Sequence, residues 1–155
     1  MIGKTSGCKE AQRSFRLRAL AIAMASALTL HALPLHAAES DAQPVTLSIA
    51  NEGAEPMRCL ILFAHWVTTE AGTIRPNGEL EIAMFRQDSD GALWIPRADG
   101  RRMMIETIDC GAAARWAETR GQVSLLPARA GREAGYRTTC RLDGAVACGD
   151  PAPLP

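Results

Sequence analysis

The sequence predicts an all-β domain, an antiparallel β-sandwich of seven to eight short strands, with a small β-barrel as the alternative. Three observations carry this prediction. Apolar and polar residues alternate over short runs, turn signals recur at intervals of roughly eight to twelve residues, and only the stretch near 112–120 has helical composition.

The first strand is read at Pro44–Asn51, where Val45, Leu47 and Ile49 alternate with Thr46 and Ser48. A turn cluster, Asn51-Glu52-Gly53-Ala54-Glu55-Pro56, leads into MRCLILFAHW, Met57 to Trp66. Parity places Cys59, Ile61, Phe63 and His65 on one face and Leu60, Leu62, Ala64 and Trp66 on the other. Both faces are apolar, which reads as a central strand covered on both sides. Val67–Glu79 is polar, carries Gly72 and Pro76-Asn77-Gly78, and reads as a connection.

Leu80–Phe85 alternates again, with Leu80, Ile82 and Met84 inward. Turns at 87–91 and 97–101 enclose a short strand at Ala92–Ile95, and Met103–Ile108 is the next strand. Gly111–Gly121 is alanine-rich and closed by glycine, as a short helix would be. Gln122–Leu126 reads as a strand and 127–135 as a loop. Tyr136–Leu142 and Ala145–Cys148 complete a terminal hairpin. The turn residues Asn51-Glu52-Gly53 after one strand and Pro76-Asn77-Gly78 before another resemble those of immunoglobulin-like sandwiches, a likeness of architecture that implies no activity.

Ahead of this domain, Arg13, Arg16 and Arg18 run into the apolar Ala19–Leu30 and then Pro34. That is the pattern of a secretory signal peptide over residues 1–37, cleaved after Ala37. A membrane anchor is the alternative, but a span takes roughly 20 apolar residues, and His31, Pro34 and His36 interrupt this run. The expected organisation is a signal peptide at 1–37, one disulfide-stabilised β domain at 39–148, and a disordered proline-rich tail at 149–155. The expected location is the periplasm or the exterior, with no membrane span after cleavage.

Loss of the leader removes both lysines and leaves 12 Arg against 16 Asp plus Glu, a net charge of −4. A mildly acidic surface argues against a nucleic-acid binder.

Four cysteines remain, Cys59, Cys110, Cys140 and Cys148, an even number for an oxidising compartment. Cys140 and Cys148 flank a hairpin with Asp143-Gly144 at its turn. A two-residue loop would set Cys140 opposite Ala147, whereas a three-residue loop, 143–145, sets it opposite Cys148. The expected bridges are therefore Cys140–Cys148 and Cys59–Cys110, the longer loop contributing roughly 4 kcal/mol. The spacings do not match the paired ligands of a zinc site. Two bridges leave no thiol for nucleophilic or redox chemistry.

His65 is the one histidine beyond the leader, so blue copper and multi-histidine zinc sites are excluded by count. A copper-handling site of His65 with Met57, Met84, Met103 and Met104 is the alternative function, set against the ordinary use of methionine as core filling. A second alternative is a small hydrolase working through paired acids among Glu70, Glu79, Glu81, Asp88, Asp90, Asp99, Glu106 and Asp109, although most of these fall in turns or outward positions. Arginines cluster at Arg97, Arg101 and Arg102, and at Arg129, Arg132, Arg137 and Arg141; an anionic partner would suit them, but the interspersed acids favour a mixed solvated face.

The favoured reading is a binding, accessory or inhibitor-type module without catalysis, cofactor or metal, whose partner is an exported protein or small ligand. Its candidate binding rim is His65, Trp66, Trp94 and Trp116. His65 at the end of an inward strand face reads as a core histidine; if the strand stops near 64, His65 and Trp66 lie on the rim instead.

Overall fold

A computed structural model describes residues 41–155; the signal-peptide expectation lies outside the described residues. The described residues form ten strands and two short α-helices, and the class is all-β.

Strand β1 (Ala42–Asn51) pairs antiparallel with β4 (Glu79–Gln87), and the inward residues Val45, Leu47 and Ile49 meet Ile82 and Met84 in the core. β2 (Met57–Phe63) lies between β3 (Val67–Ile74) and β6 (Arg102–Ala112). Its odd positions Met57, Cys59, Ile61 and Phe63 are buried, while Arg58, Leu60 and Leu62 are half-buried. β5 (Leu93–Pro96) pairs with β4 on one side and with the start of β6 on the other. Hydrogen bonding thus follows one path, β10-β8-β1-β4-β5-β6-β2-β3, with β7 (Gly121–Val123) on β6 and β9 (Ala145–Cys148) on β8 (Gly135–Asp143). Leu47 and Ile82 from one end of that path share a core with Cys59, Ile61 and Ile108 from the other.

Several sequence expectations need correction. The sheet is not purely antiparallel, because β8 runs parallel to β1, with Tyr136 opposite Leu47. Val67–Ile74, read as a connection, is a strand. It lies at the end of the path and is mostly exposed, so its threonines and Glu70 gave no alternation; β-branched residues on an edge nevertheless suit a strand.

The tail is also ordered. Ala152–Pro153 forms β10 against β8, Leu154 N–H donates to Gly135 C=O at 2.9 Å, and Pro151 is buried. Proline is tolerated there because an edge strand leaves one side unpaired. These two strands raise the count from eight to ten.

The helix expected near 112–120 is a 3₁₀ turn at Ala113–Arg115 followed by α1 (Trp116–Thr119). Thr119 holds it to the sheet, its hydroxyl accepting from Ala112 N–H and donating to Arg115 C=O. Beyond Val123 the expected strand gives way to α2 (Leu126–Ala130), with Pro127 in its first turn, where its fixed φ fits and its missing N–H costs nothing.

Both bridges join directly opposed residues of antiparallel neighbours. Cys59–Cys110 links β2 to β6, with Cα atoms 4.1 Å apart, and Cys140–Cys148 links β8 to β9, with Cα atoms 4.0 Å apart. The hairpin register is that of the three-residue loop, and Gly144 takes the left-handed conformation at its centre, with φ 74°.

Asn51 was not singled out from the sequence. It is 2 % exposed, and its Nδ2 donates to the carbonyls of Glu55, Ile74 and Arg75 while Oδ1 accepts from Gly53 N–H. One buried amide therefore ties the β1–β2 turn to the end of β3.

Candidate functional site

β2 stops at Phe63 because the next residues leave the extended region. His65 and Trp66 take left-handed backbone, φ 69° and 63°, within a 3₁₀ turn over Ala64–Trp66. Two consecutive non-glycine residues in that region are uncommon, and such conformations cluster at binding and catalytic sites. The turn lifts both side chains off the core face: His65 is exposed, Trp66 is 85 % exposed and Val67 is 47 % exposed. His65 therefore does not extend the inward face of β2.

Beside this turn lies the β5–β6 connection, where Asp99 is paired with Arg97 at 3.7 Å and with Arg101 at 2.8 Å. The hydrogen bond from Arg101 lowers the Asp99 carboxyl from its ordinary value. A cavity of about 240 Å³ separates the two segments, with Phe63, Val67, Met103 and Met104 forming an apolar lining and His65, Arg97, Arg101 and Arg102 around it.

Trp94 and Trp116 occupy other ground. Trp94 stacks on Phe85, with centroids 4.6 Å apart, and Arg102 lies over the ring at 4.7 Å. Arg102 is its link to the His65 cavity. Trp116 packs on Gly111 and is flanked by Arg58 at 5.8 Å and Arg120 at 5.5 Å. Arg58 is five residues from Phe63 along β2, about 17 Å of extended chain, so Trp116 sits toward the opposite end of that strand. Thus His65 and Trp66 share one rim, Trp94 borders it through Arg102, and Trp116 covers the sheet elsewhere.

The methionines divide. Met57 and Met84 are core residues, whereas Met103 and Met104 line the cavity beside His65. Among the acids, Asp109 is half-buried and the other seven hydrolase candidates are exposed. Burial raises the Asp109 carboxyl above its ordinary value, and the nearby Arg120 opposes that shift.

A second concavity, of about 400 Å³, was not foreseen. Its walls are the β4–β5 turn and the segment from α2 toward β8, and it is lined by Gln43, Arg86, Asp88, Gly91, Arg129 and Arg132, among others. Arg86 is 4 % exposed. Its Nη1 donates to Ala128 C=O at 3.1 Å and Glu133 C=O at 3.3 Å, and its Nη2 to Gln43 Oε1 at 3.2 Å. The sequence did contain the signal: Leu80, Ile82 and Met84 set an inward parity that continues onto Arg86.

No protein-family model matches the sequence, and no curated protein matches it. The NMR structure of a protein from Eubacterium rectale is similar over 69 % of this chain and 87 % of its own, at 9 % identity and a TM-score of 0.39.

Proposed function

We propose that the chain is an exported binding module of the accessory or inhibitor type, without catalysis of its own. It contacts an exported protein through the rim of His65, Trp66 and the Arg97–Arg102 turn. One observation carries this reading: Trp66, 85 % exposed, is held outward by two successive left-handed residues. An indole left in water forgoes burial worth about 2–3 kcal/mol, a cost that contact with a partner recovers. Tryptophan and arginine dominate binding hot spots, and here they border an apolar cavity. Three arginines against Asp99 favour a partner that presents acids around an apolar anchor. Two disulfides support an oxidising location.

The test is paired affinity capture from the exported fraction of the native host, with the wild-type chain and Trp66→Ala as baits. A protein enriched on the wild type and lost on the variant is expected; indistinguishable capture profiles would remove the rim from the account.

A metal reading has one supporting observation, that His65, Met103 and Met104 line the same cavity. Consecutive strand residues point to opposite faces, which works against both thioethers reaching one ion. Cu(I) titration of wild type and His65→Ala decides it: stoichiometric binding lost in the variant supports a copper site, and no tight binding by either ends that reading.

A further inference from the structure

We propose that the cavity between the β4–β5 turn and α2 binds a small doubly charged oxyanion through the guanidiniums of Arg86 and Arg132, with Arg129 in its wall. This site is separate from the Trp66 rim and does not rest on it.

The first support is burial without charge compensation. Arg86 is more than nine-tenths buried, and the three acceptors of its hydrogen bonds, two backbone carbonyls and the Gln43 amide oxygen, are all neutral. A buried cation surrounded only by neutral dipoles retains a demand for an anion. The second support is convergence. Arg129 and Arg132 line the same space, and among the described residues none of the three forms an ion pair. Elsewhere Arg97, Arg101, Arg115, Arg137 and Arg141 pair with acids, whereas among the described residues Arg58, Arg75, Arg102 and Arg120 do not. Arg129 directs Nη2 outside this lining, to the carbonyls of Ile105 and Glu106, and among the described residues its buried Nε–H has no acceptor.

The acids nearby are few. Asp88 is the one acid in the lining, against Arg86, Arg129 and Arg132. Glu133 lies alongside, where its carboxylate accepts from Arg132 N–H at 2.9 Å.

The walls are also fixed. Gly91, at φ 71°, approaches the Arg129 carbonyl so closely that a Cβ would overlap it, which locks the β4–β5 turn onto the end of α2. Such preorganisation lowers the cost of binding. The planar fork of arginine matches the oxygens of phosphate and carboxylate alike, and about 400 Å³ is within the range that admits a small organic anion. The shared chemistry is a pair of negative charges on neighbouring oxygens, from a phosphoryl group or a dicarboxylate.

The experiment titrates the folded chain with inorganic phosphate and with succinate at constant ionic strength, read by calorimetry and by the arginine Nε–H resonances. Saturable binding of at least one anion is expected, with a shift at Arg86. Phosphate preference assigns a phosphoryl ligand, and succinate preference a dicarboxylate. Arg132 is exposed, so Arg132→Ala should fold and weaken binding roughly tenfold, the loss of one charge-assisted contact. Arg141→Ala, whose guanidinium pairs with Glu52 elsewhere, should bind as wild type does. Failure of both anions to saturate, or wild-type affinity in Arg132→Ala, overturns the proposal.

Discussion

The Arg86 guanidinium donates to the Ala128 carbonyl at 3.1 Å and so fastens strand β4 to the helix α2, 42 residues later. Its other acceptors, Glu133 C=O and Gln43 Oε1, draw in the α2–β8 segment and β1. Arg86→Met keeps most of the apolar stem but leaves these acceptors without a donor. A stability loss of about 2–4 kcal/mol is expected, measured by urea unfolding. Gln43→Ala removes a single contact and should cost about 1 kcal/mol.

Two glycines are required for different reasons. A Cβ at Gly121 would overlap the Val146 carbonyl, where β7 abuts β9, so Gly121→Ala forces strands apart and should cost about 3 kcal/mol. Gly144 has open space but left-handed backbone, and Gly144→Ala should cost about 1 kcal/mol. Equal losses in thermal unfolding would contradict this ranking.

Trp66 and Trp94 should separate stability from contact. Trp66→Ala removes an exposed side chain and should change stability by less than about 0.5 kcal/mol. Trp94→Ala loses the Phe85 stack and the cover of Arg102, and a cost of about 2–3 kcal/mol is expected. Unfolding curves of the two variants, compared with their capture profiles, check both statements.

Asp109 sets a pH dependence. Its folded carboxyl titrates above the ordinary aspartate value because burial disfavours the charge. The native state therefore binds more protons than the unfolded state between those two values, and stability falls as pH rises through that window. Asp109→Asn should be more stable than wild type at neutral pH. The difference should vanish below about pH 3, where both states of wild type are protonated. Urea midpoints at the two pH values test the sign; a gap of equal size at both would contradict it.

Much of the fold was legible where burial writes a pattern. The alternation of Val45, Leu47 and Ile49 and of Cys59, Ile61 and Phe63 marked strands because one face must leave water. The hairpin register followed from requiring Cys140 to meet Cys148. Strand β3 was not legible, since an exposed edge imposes no alternation on Thr68, Thr69 and Glu70. Nor was the parallel pairing of β1 with β8, whose partners are about 90 residues apart and share no local signal. The sequence likewise offered two outcomes for His65 and Trp66, and the left-handed turn that selects the rim is set by backbone geometry, with no glycine to announce it. At the second cavity the parity that buries Arg86 was present, but its union with Arg129 and Arg132 depends on α2, which the sequence read as loop.

On the function proposed above the chain is exported, and its four cysteines staple the fold, so that contact rather than thiol chemistry is left for its surface. Intact-mass measurement of the protein recovered from its native host, alkylated without reduction, tests that most directly. The predicted mass is that of residues 38–155 with two disulfides and no alkyl adduct, adducts appearing at Cys59, Cys110, Cys140 and Cys148 only after reduction. A chain that retains the leader, or carries four adducts before reduction, would contradict it.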